Sequence, residues 1–221
     1  MPAEVTEGMS EPRTTRRRAE TRRKLIAVAY EVFTEHGIRD APVELICERA
    51  GFTRGAFYSN FGSKEELFLA VYQEQMQAQL SRLRDTVDAV LEESAPHDHE
   101  TLRTAIARVV QLFMTPLIPD TQWYLANIEF RVQALRQPEL RAQTDTAQEF
   151  FHAGLAEILE ATLERVGMSL IVDPHDAVHV LVSMCETAME RAVFEEHPSP
   201  LENRIVTDVL PKVLAALIQP A

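Results

Sequence analysis

Residues 53–60 read Thr-Arg-Gly-Ala-Phe-Tyr-Ser-Asn, a set of side chains suited to gripping a polyanion. Arg54 can reach guanine O6 and N7 or a phosphate. Thr53, Tyr58, Ser59 and Asn60 carry hydroxyl and amide groups that hydrogen-bond phosphate oxygens or base edges. Gly55 and Ala56 are small enough to let a backbone approach closely. Lys64 adds a cation just beyond. Ile46, Ala50, Phe57 and Phe61 fall where two crossed helices would bury them, which leaves the polar set outside. A short helix seldom exposes Arg, Tyr, Ser and Asn beside two small residues without a use for them.

The elements that must position this set follow from local signals. Val43 to Ala50 reads as a short helix closed at Gly51, a residue that takes the left-handed conformation cheaply. Thr53 caps a second short helix running to Asn60. Pro42 suits the first turn of the earlier helix, with Asp40 as its cap. Before them, a helix should start near Thr15 to Thr21 and end at Gly37, with Leu25, Ile26, Ala29 and Phe33 on one face. After them, Ser63 and Glu66 form a capping box opening a long helix towards Val90. Two short helices around a tight turn form the pattern of a DNA-reading helix-turn-helix.

The net charge of −12 looks wrong for a DNA binder until it is divided. Residues 1–72 hold 11 basic and 11 acidic side chains, so the whole excess of acid lies beyond them. Within Arg13 to Lys24, seven basic residues (Arg13, Arg16, Arg17, Arg18, Arg22, Arg23 and Lys24) face one acid, Glu20. Such a cluster beside a reading helix is an electrostatic footprint.

Arg22 to Tyr72, with TRRKLIAVAYEVFTEHG and then ICERAGFTRGAFYSNFGSKEELFLAVY, resembles the N-terminal domain of TetR-family transcriptional regulators. The resemblance implies an all-α protein. Residues 1–14 would form a disordered basic-leading arm, 15–66 the DNA-binding domain and 67–221 a helical ligand-binding and dimerisation domain, with about nine helices in all. It places DNA contacts at Thr21 and Arg22 (Arg18 beside them), at Thr53, Arg54, Gly55, Ala56, Tyr58, Ser59 and Asn60, and at Lys64. Two positions depart from the family pattern. Asp40-Ala41-Pro42-Val43 stands where threonines commonly meet a phosphate, and Cys47 where a small alanine is usual. Cys47 reads as a small buried hydrophobe, with redox sensing as the alternative.

Further along, helices are expected at about Glu100–Met114, Thr121–Arg136, Pro138–Val166 ended by Gly167, a span from Asp173-Pro174 to about Glu196, and Leu201–Ile218 with a kink at Pro211. Met168 to Val172 is strand-like. The last two helices are too apolar for a monomer surface. By resemblance they form a dimer interface through Val178, Leu181, Cys185 and Met189, and through Val206, Val209, Leu210, Val213 and Leu217. Phe113, Trp123, Tyr124, Asn127, Phe130, Phe150, Phe151, His152 and Met184 gather aromatics and Met with a few polar groups. In the family such residues line a pocket for a small molecule. Glu129 and Glu186 would suit a cationic one.

Other classes find little support. No G-x-S-x-G elbow, phosphate-cradling glycine loop, H-E-x-x-H or Cys–His constellation is present, so no enzyme is expected. His175 and His179 lie four apart, and His97 and His99 flank Asp98, but a third metal ligand is not identifiable from sequence, so no metal or cofactor is assigned. There is no run of about 18 apolar residues, and the N-terminal stretch, with charges but no apolar segment behind them, is not expected to act as a secretory leader. Two cysteines without a framework of pairs fit a reducing cytoplasm. The expected function is a homodimeric regulator, a repressor by family habit, that binds a palindromic DNA operator and is released by a small, mainly apolar effector. The alternative is a DNA-binding dimer whose C-terminal half serves only dimerisation or a protein partner.

Overall fold

Helix α1 spans Arg13–Asp40 in a computed structural model that describes residues 13–93, 112, 113, 118, 120–195 and 199–221. It takes in the whole basic segment, so Arg13 and Thr14 are helical rather than part of an arm. The expected stop at Gly37 appears as a kink with φ 72°, beyond which the chain turns helical again to Asp40. Helix α2 (Val43–Ala50) ends at Gly51, φ 73° and ψ 30°. There Phe52 N–H donates to Cys47 O at 2.9 Å and Gly51 N–H to Glu48 O at 3.1 Å, the paired bonds of a Schellman motif. Asp40 does not cap α2. Pro42 holds that position with no side-chain hydrogen bond, because its fixed φ already sets the entry.

Helix α3 (Arg54–Tyr58) is one residue shorter than expected at its start and two at its end. Helix α4 (Lys64–Glu93) follows, its start capped by Ser63 Oγ, which accepts from Glu66 N–H at 3.1 Å. Glu66 Oε2 in turn accepts from Gly62 N–H at 2.6 Å. The described residues divide into two compact units between Val71 and Tyr72. In the first, Leu25, Ala29, Val32, Phe33, Ile38, Ile46, Phe57, Leu67 and Phe68 are completely buried, with the Phe33 and Phe68 rings 5.1 Å apart.

The second unit contains the rest of α4, α5 (Thr121–Arg136) and α6 (Pro138–Arg165), then α7 (Pro174–Phe194) and α8 (Leu210–Leu217). Asp120 caps α5 by accepting from Trp123 N–H at 2.9 Å, and Asp173 caps α7 through His175 N–H at 2.8 Å. Leu80, Leu83 and Val87 of α4 pack with Leu155, Leu159 and Leu163 of α6, Val178 and Ala188 of α7, and Leu210 and Leu214 of α8. Gly154 lets α6 approach α4: a Cβ there would lie 2.7 Å from Leu80 Cδ1.

The expected final helix is three pieces. A 3-10 turn (Pro200–Glu202) and a π-turn (Ile205–Val209) precede α8. Pro211 has no N–H for the carbonyl four residues back, and the turn before it widens so that Leu210 N–H bonds Ile205 O instead. The strand-like run forms β1 (Met168–Leu170), paired antiparallel with β2 (Ile218–Pro220). The expected helix at about Glu100–Met114 lies outside the described residues, apart from helical Leu112 and Phe113.

Candidate functional site

Helix α3 is fixed at both ends. Thr53 Oγ1 accepts from Ala56 N–H at 3.2 Å, so the hydroxyl oxygen caps the helix. At the other end, Arg22 donates to Asn60 O at 3.2 Å, and its guanidinium lies 4.2 Å from the centre of the Phe61 ring. Arg18 donates to Ser59 O at 3.2 Å. Two cations from α1 therefore hold the carbonyl end of α3, where a helix favours positive charge. Thr21 Oγ1 donates to Arg17 O within α1 at 3.0 Å.

The other residues expected to meet DNA around α3 differ in their surroundings. Ser59 Oγ and Asn60 Nδ2 both donate to Ala56 O at 2.8 Å, and Asn60 Oδ1 is buried without a partner. Arg54, Gly55, Tyr58 and Ser59 are exposed and Ala56 half-buried. Arg54 Nη1 sits 2.7 Å from Glu44 Oε1 on α2, with its guanidinium 5.9 Å from the Tyr58 ring centre.

Lys64, which the family resemblance places at the DNA backbone, gives two hydrogen bonds to the protein. Nζ donates to Arg39 O at 2.8 Å and Ala41 O at 3.1 Å, tying the turn between α1 and α2. Cys47 is buried, and burial pushes its thiol pKa up, which lowers the thiolate fraction that redox sensing needs.

In the second unit a cavity of about 120 Å³ is walled by α4, α5, α6 and α7. Trp123, Tyr124, Asn127, Phe151 and His152 all line it, joined by Tyr72, Met76, Arg131, Gln148, Cys185, Glu186 and Met189. Phe130 does not reach the cavity. It is fully buried, its ring 6.2 Å from that of Tyr72, which it backs. Phe113 and Met184 pack on the core instead, and Phe150 is 62% exposed. Glu186 is ion-paired with Arg131, and its carbonyl accepts from Tyr124 Oη at 3.3 Å. Its charge is thus compensated, which removes the case for a cationic ligand there.

Burial pushes the Tyr72 phenol and the Cys185 thiol each to about 12. Burial also lowers the His152 pKa, and nearby His179 adds to this. Asn127 Oδ1 and His152 Nδ1 are buried and lack hydrogen-bond partners. The sequence missed Tyr72 and Arg131 because neither breaks its helix's pattern.

Several residues expected at a dimer seam face inward. Val178, Val206 and Leu210 belong to the chain's own core and Leu181 packs on it, while Cys185 and Met189 line the cavity. A broad apolar stripe does not say which of its edges meets the core. Val213 and Leu217 stay half-buried and Val209 is 37% exposed. On α7 the exposed apolar side chains are instead Val180 and Phe194.

Residues 25–71 match the family described as bacterial regulatory proteins, tetR family. Residues 97–219 match the tetracyclin repressor-like C-terminal domain. The chain is 30% identical over 132 residues to the HTH-type transcriptional activator FasR of Mycolicibacterium smegmatis, an alignment covering 60% of this chain and 55% of FasR. It is 27% identical over 185 residues to the HTH-type transcriptional repressor AcnR of Corynebacterium efficiens, covering 77% of this chain and 93% of AcnR. In fold it is similar to a TetR-family regulator structure from Mesorhizobium loti, with TM-score 0.65, 22% identity, and coverage of 90% and 98%. It is similar also to FadR from Bacillus subtilis in complex with stearoyl-CoA, with TM-score 0.58, 19% identity, and coverage of 87% and 96%. With the family matching at both ends of the chain and an exposed recognition helix between its fixed ends, the protein belongs to the TetR family of helix-turn-helix transcriptional regulators.

Proposed function

We propose that the chain acts as a homodimeric repressor released from a palindromic operator by a small, mainly apolar effector. The observation that carries the effector reading is Asn127 Oδ1, buried without a partner in the wall of a largely apolar cavity. A buried polar atom left unpaired is costly, and a ligand donor offsets that cost. FadR of B. subtilis, named in complex with stearoyl-CoA, supports an apolar ligand in this fold, and AcnR, named as a repressor, supports the sign of regulation. Apolar side chains left exposed at Val180, Phe194 and Val209 support burial against a second copy. Two heads then meet half-sites about 34–36 Å apart, or a multiple of that spacing.

Helix α4 is continuous from Lys64 to Glu93 and supplies Tyr72, Gln75, Met76 and Gln79 to the cavity. Effector binding that favours one position of this helix shifts the population of DNA-competent dimers. Coupling is reciprocal: operator DNA must weaken effector binding by the factor by which effector weakens DNA binding. Trp123, the only tryptophan in the sequence and part of the cavity wall, gives the test its signal. Apolar compounds are screened by Trp123 emission on the full-length dimer, alone and with a duplex selected from a random pool. A compound bound equally well with and without that duplex would falsify the release mechanism.

A further inference from the structure

Among the described residues, one group of side chains has metal-ligating chemistry, and it lies to one side of the apolar cavity. Helix α6 carries Glu149 and His152 three residues apart, and α7 carries His175 and His179 four apart, so each pair shares a helical face. Where the two helices pack, one ligand atom from each of Glu149, His152 and His179 lies within 4.8 Å of the other two. The His152 and His179 rings are 4.5 Å apart and edge-on. Two of the three ligands, which the α7 sequence alone does not reveal, come from a helix more than twenty residues earlier.

We propose that Glu149, His152 and His179 bind one divalent transition-metal ion of the Zn²⁺ type, and that His175 positions two of them. Two imidazoles and a carboxylate form the borderline nitrogen–oxygen donor set that Zn²⁺ takes with a fourth position open to water or a ligand. Magnesium and calcium instead call for all-oxygen shells. With bonds of about 2.0–2.2 Å, tetrahedral ligand atoms lie roughly 3.3–3.6 Å apart. Glu149 and His179 are exposed, which leaves their side chains room to rotate towards a shared ion.

The surroundings are those of a metal site. His179 Nδ1 lies 3.0 Å from His175 O. His175 Nδ1 lies 3.3 Å from the same nitrogen; in the tautomer that donates Nδ1–H to the carbonyl, His179 Nε2 keeps its lone pair for a metal. His175 Nε2 lies 3.3 Å from Glu149 Oε2, holding the carboxylate in turn. His152 Nδ1 is buried and has no partner, an unmade contact that a cation completes. Because His152 also lines the cavity, the ion sits at the cavity wall and ties α6 to α7. The site does not rest on the effector reading, since it is tested with metal alone.

Chelator-stripped, full-length protein is titrated with Zn²⁺ against a chromophoric indicator, and with Co²⁺ read by visible absorption. The expected result is one ion per chain at micromolar or lower dissociation constant, with the strong Co²⁺ bands of four-coordination. Glu149→Gln and His179→Ala, both at exposed positions, and His152→Ala should each weaken binding by more than about tenfold, and His175→Ala by about tenfold. A His97→Ala/His99→Ala variant should bind as the parent does. No stoichiometric binding by the parent, or binding kept by His179→Ala and lost by the His97/His99 variant, overturns the proposal. Should His152→Ala fail to fold, the Glu149 and His179 variants decide the matter.

Discussion

Glu44 on α2 holds Arg54 on α3 at 2.7 Å, across the turn of the helix-turn-helix. The pair is largely exposed, so it contributes little to stability, but it aims the guanidinium and neutralises it. Arg54→Ala should cost about 1–3 kcal/mol on a selected duplex and less on random DNA. Glu44→Gln should do the reverse, tightening random duplex more than the selected one, because an unpaired guanidinium meets any phosphate. Fluorescence anisotropy with both duplexes reads the difference. Equal loss on the two for Arg54→Ala would remove it from base reading.

Lys64 presents the opposite case. Its ammonium donates to Arg39 O and Ala41 O, so Lys64→Met should lower thermal stability by about 1 kcal/mol, the scale of a partly exposed hydrogen bond. The salt dependence of DNA binding should hardly change. If Lys64 were a phosphate contact, the slope of log K against log salt would fall by about 0.9 for each subunit bound. Anisotropy titrations from low to moderate salt separate the two roles.

Gly154 sits where a Cβ would come 2.7 Å from Leu80 Cδ1 and 3.2 Å from its Cδ2. Leu80 is 3% exposed and has little room to turn away. Gly154→Ala should therefore destabilise by about 1–3 kcal/mol, as overpacking does, despite the better helix propensity of alanine. Urea melts of the two proteins check this. A stabilised variant would show that α4 and α6 can move apart at no cost.

Tyr72 gives a pH dependence of definite sign. Burial raises its folded pKa from about 10 to about 12, so the unfolded chain loses this proton first. Its stabilising contribution is complete below pH 10 and is lost as pH rises towards 12, at up to about 1.4 kcal/mol per pH unit. Tyr72→Phe should be less sensitive to alkali than the parent over that window. Parallel slopes in denaturant melts from pH 9 to 11 would place the phenol in contact with water.

Much of the fold was legible because its signals are local. Thr53, Ser63, Asp120 and Asp173 each accept a hydrogen bond from an N–H two or three residues on, a geometry that depends only on neighbouring backbone. Gly51 and Gly167, both at φ 73°, end their helices for the same reason. The exposed face of α3 followed from residue type and helical spacing, whereas five of the cavity-lining side chains followed from the family resemblance.

Tertiary structure alone decided which groups spend their hydrogen bonds on the protein. Arg22 meets Asn60 and Lys64 meets Arg39 across separations of 38 and 25 residues, and no local rule couples positions so far apart. It also decided how α7 is rotated. That rotation turned Val178 into core, gave Cys185 and Met189 to the cavity, and left Val180 and Phe194 outside. The same packing of α7 on α6 brought His179 beside His152. A helix with apolar residues on several sides leaves its rotation open, and only the surfaces packed against it set the angle.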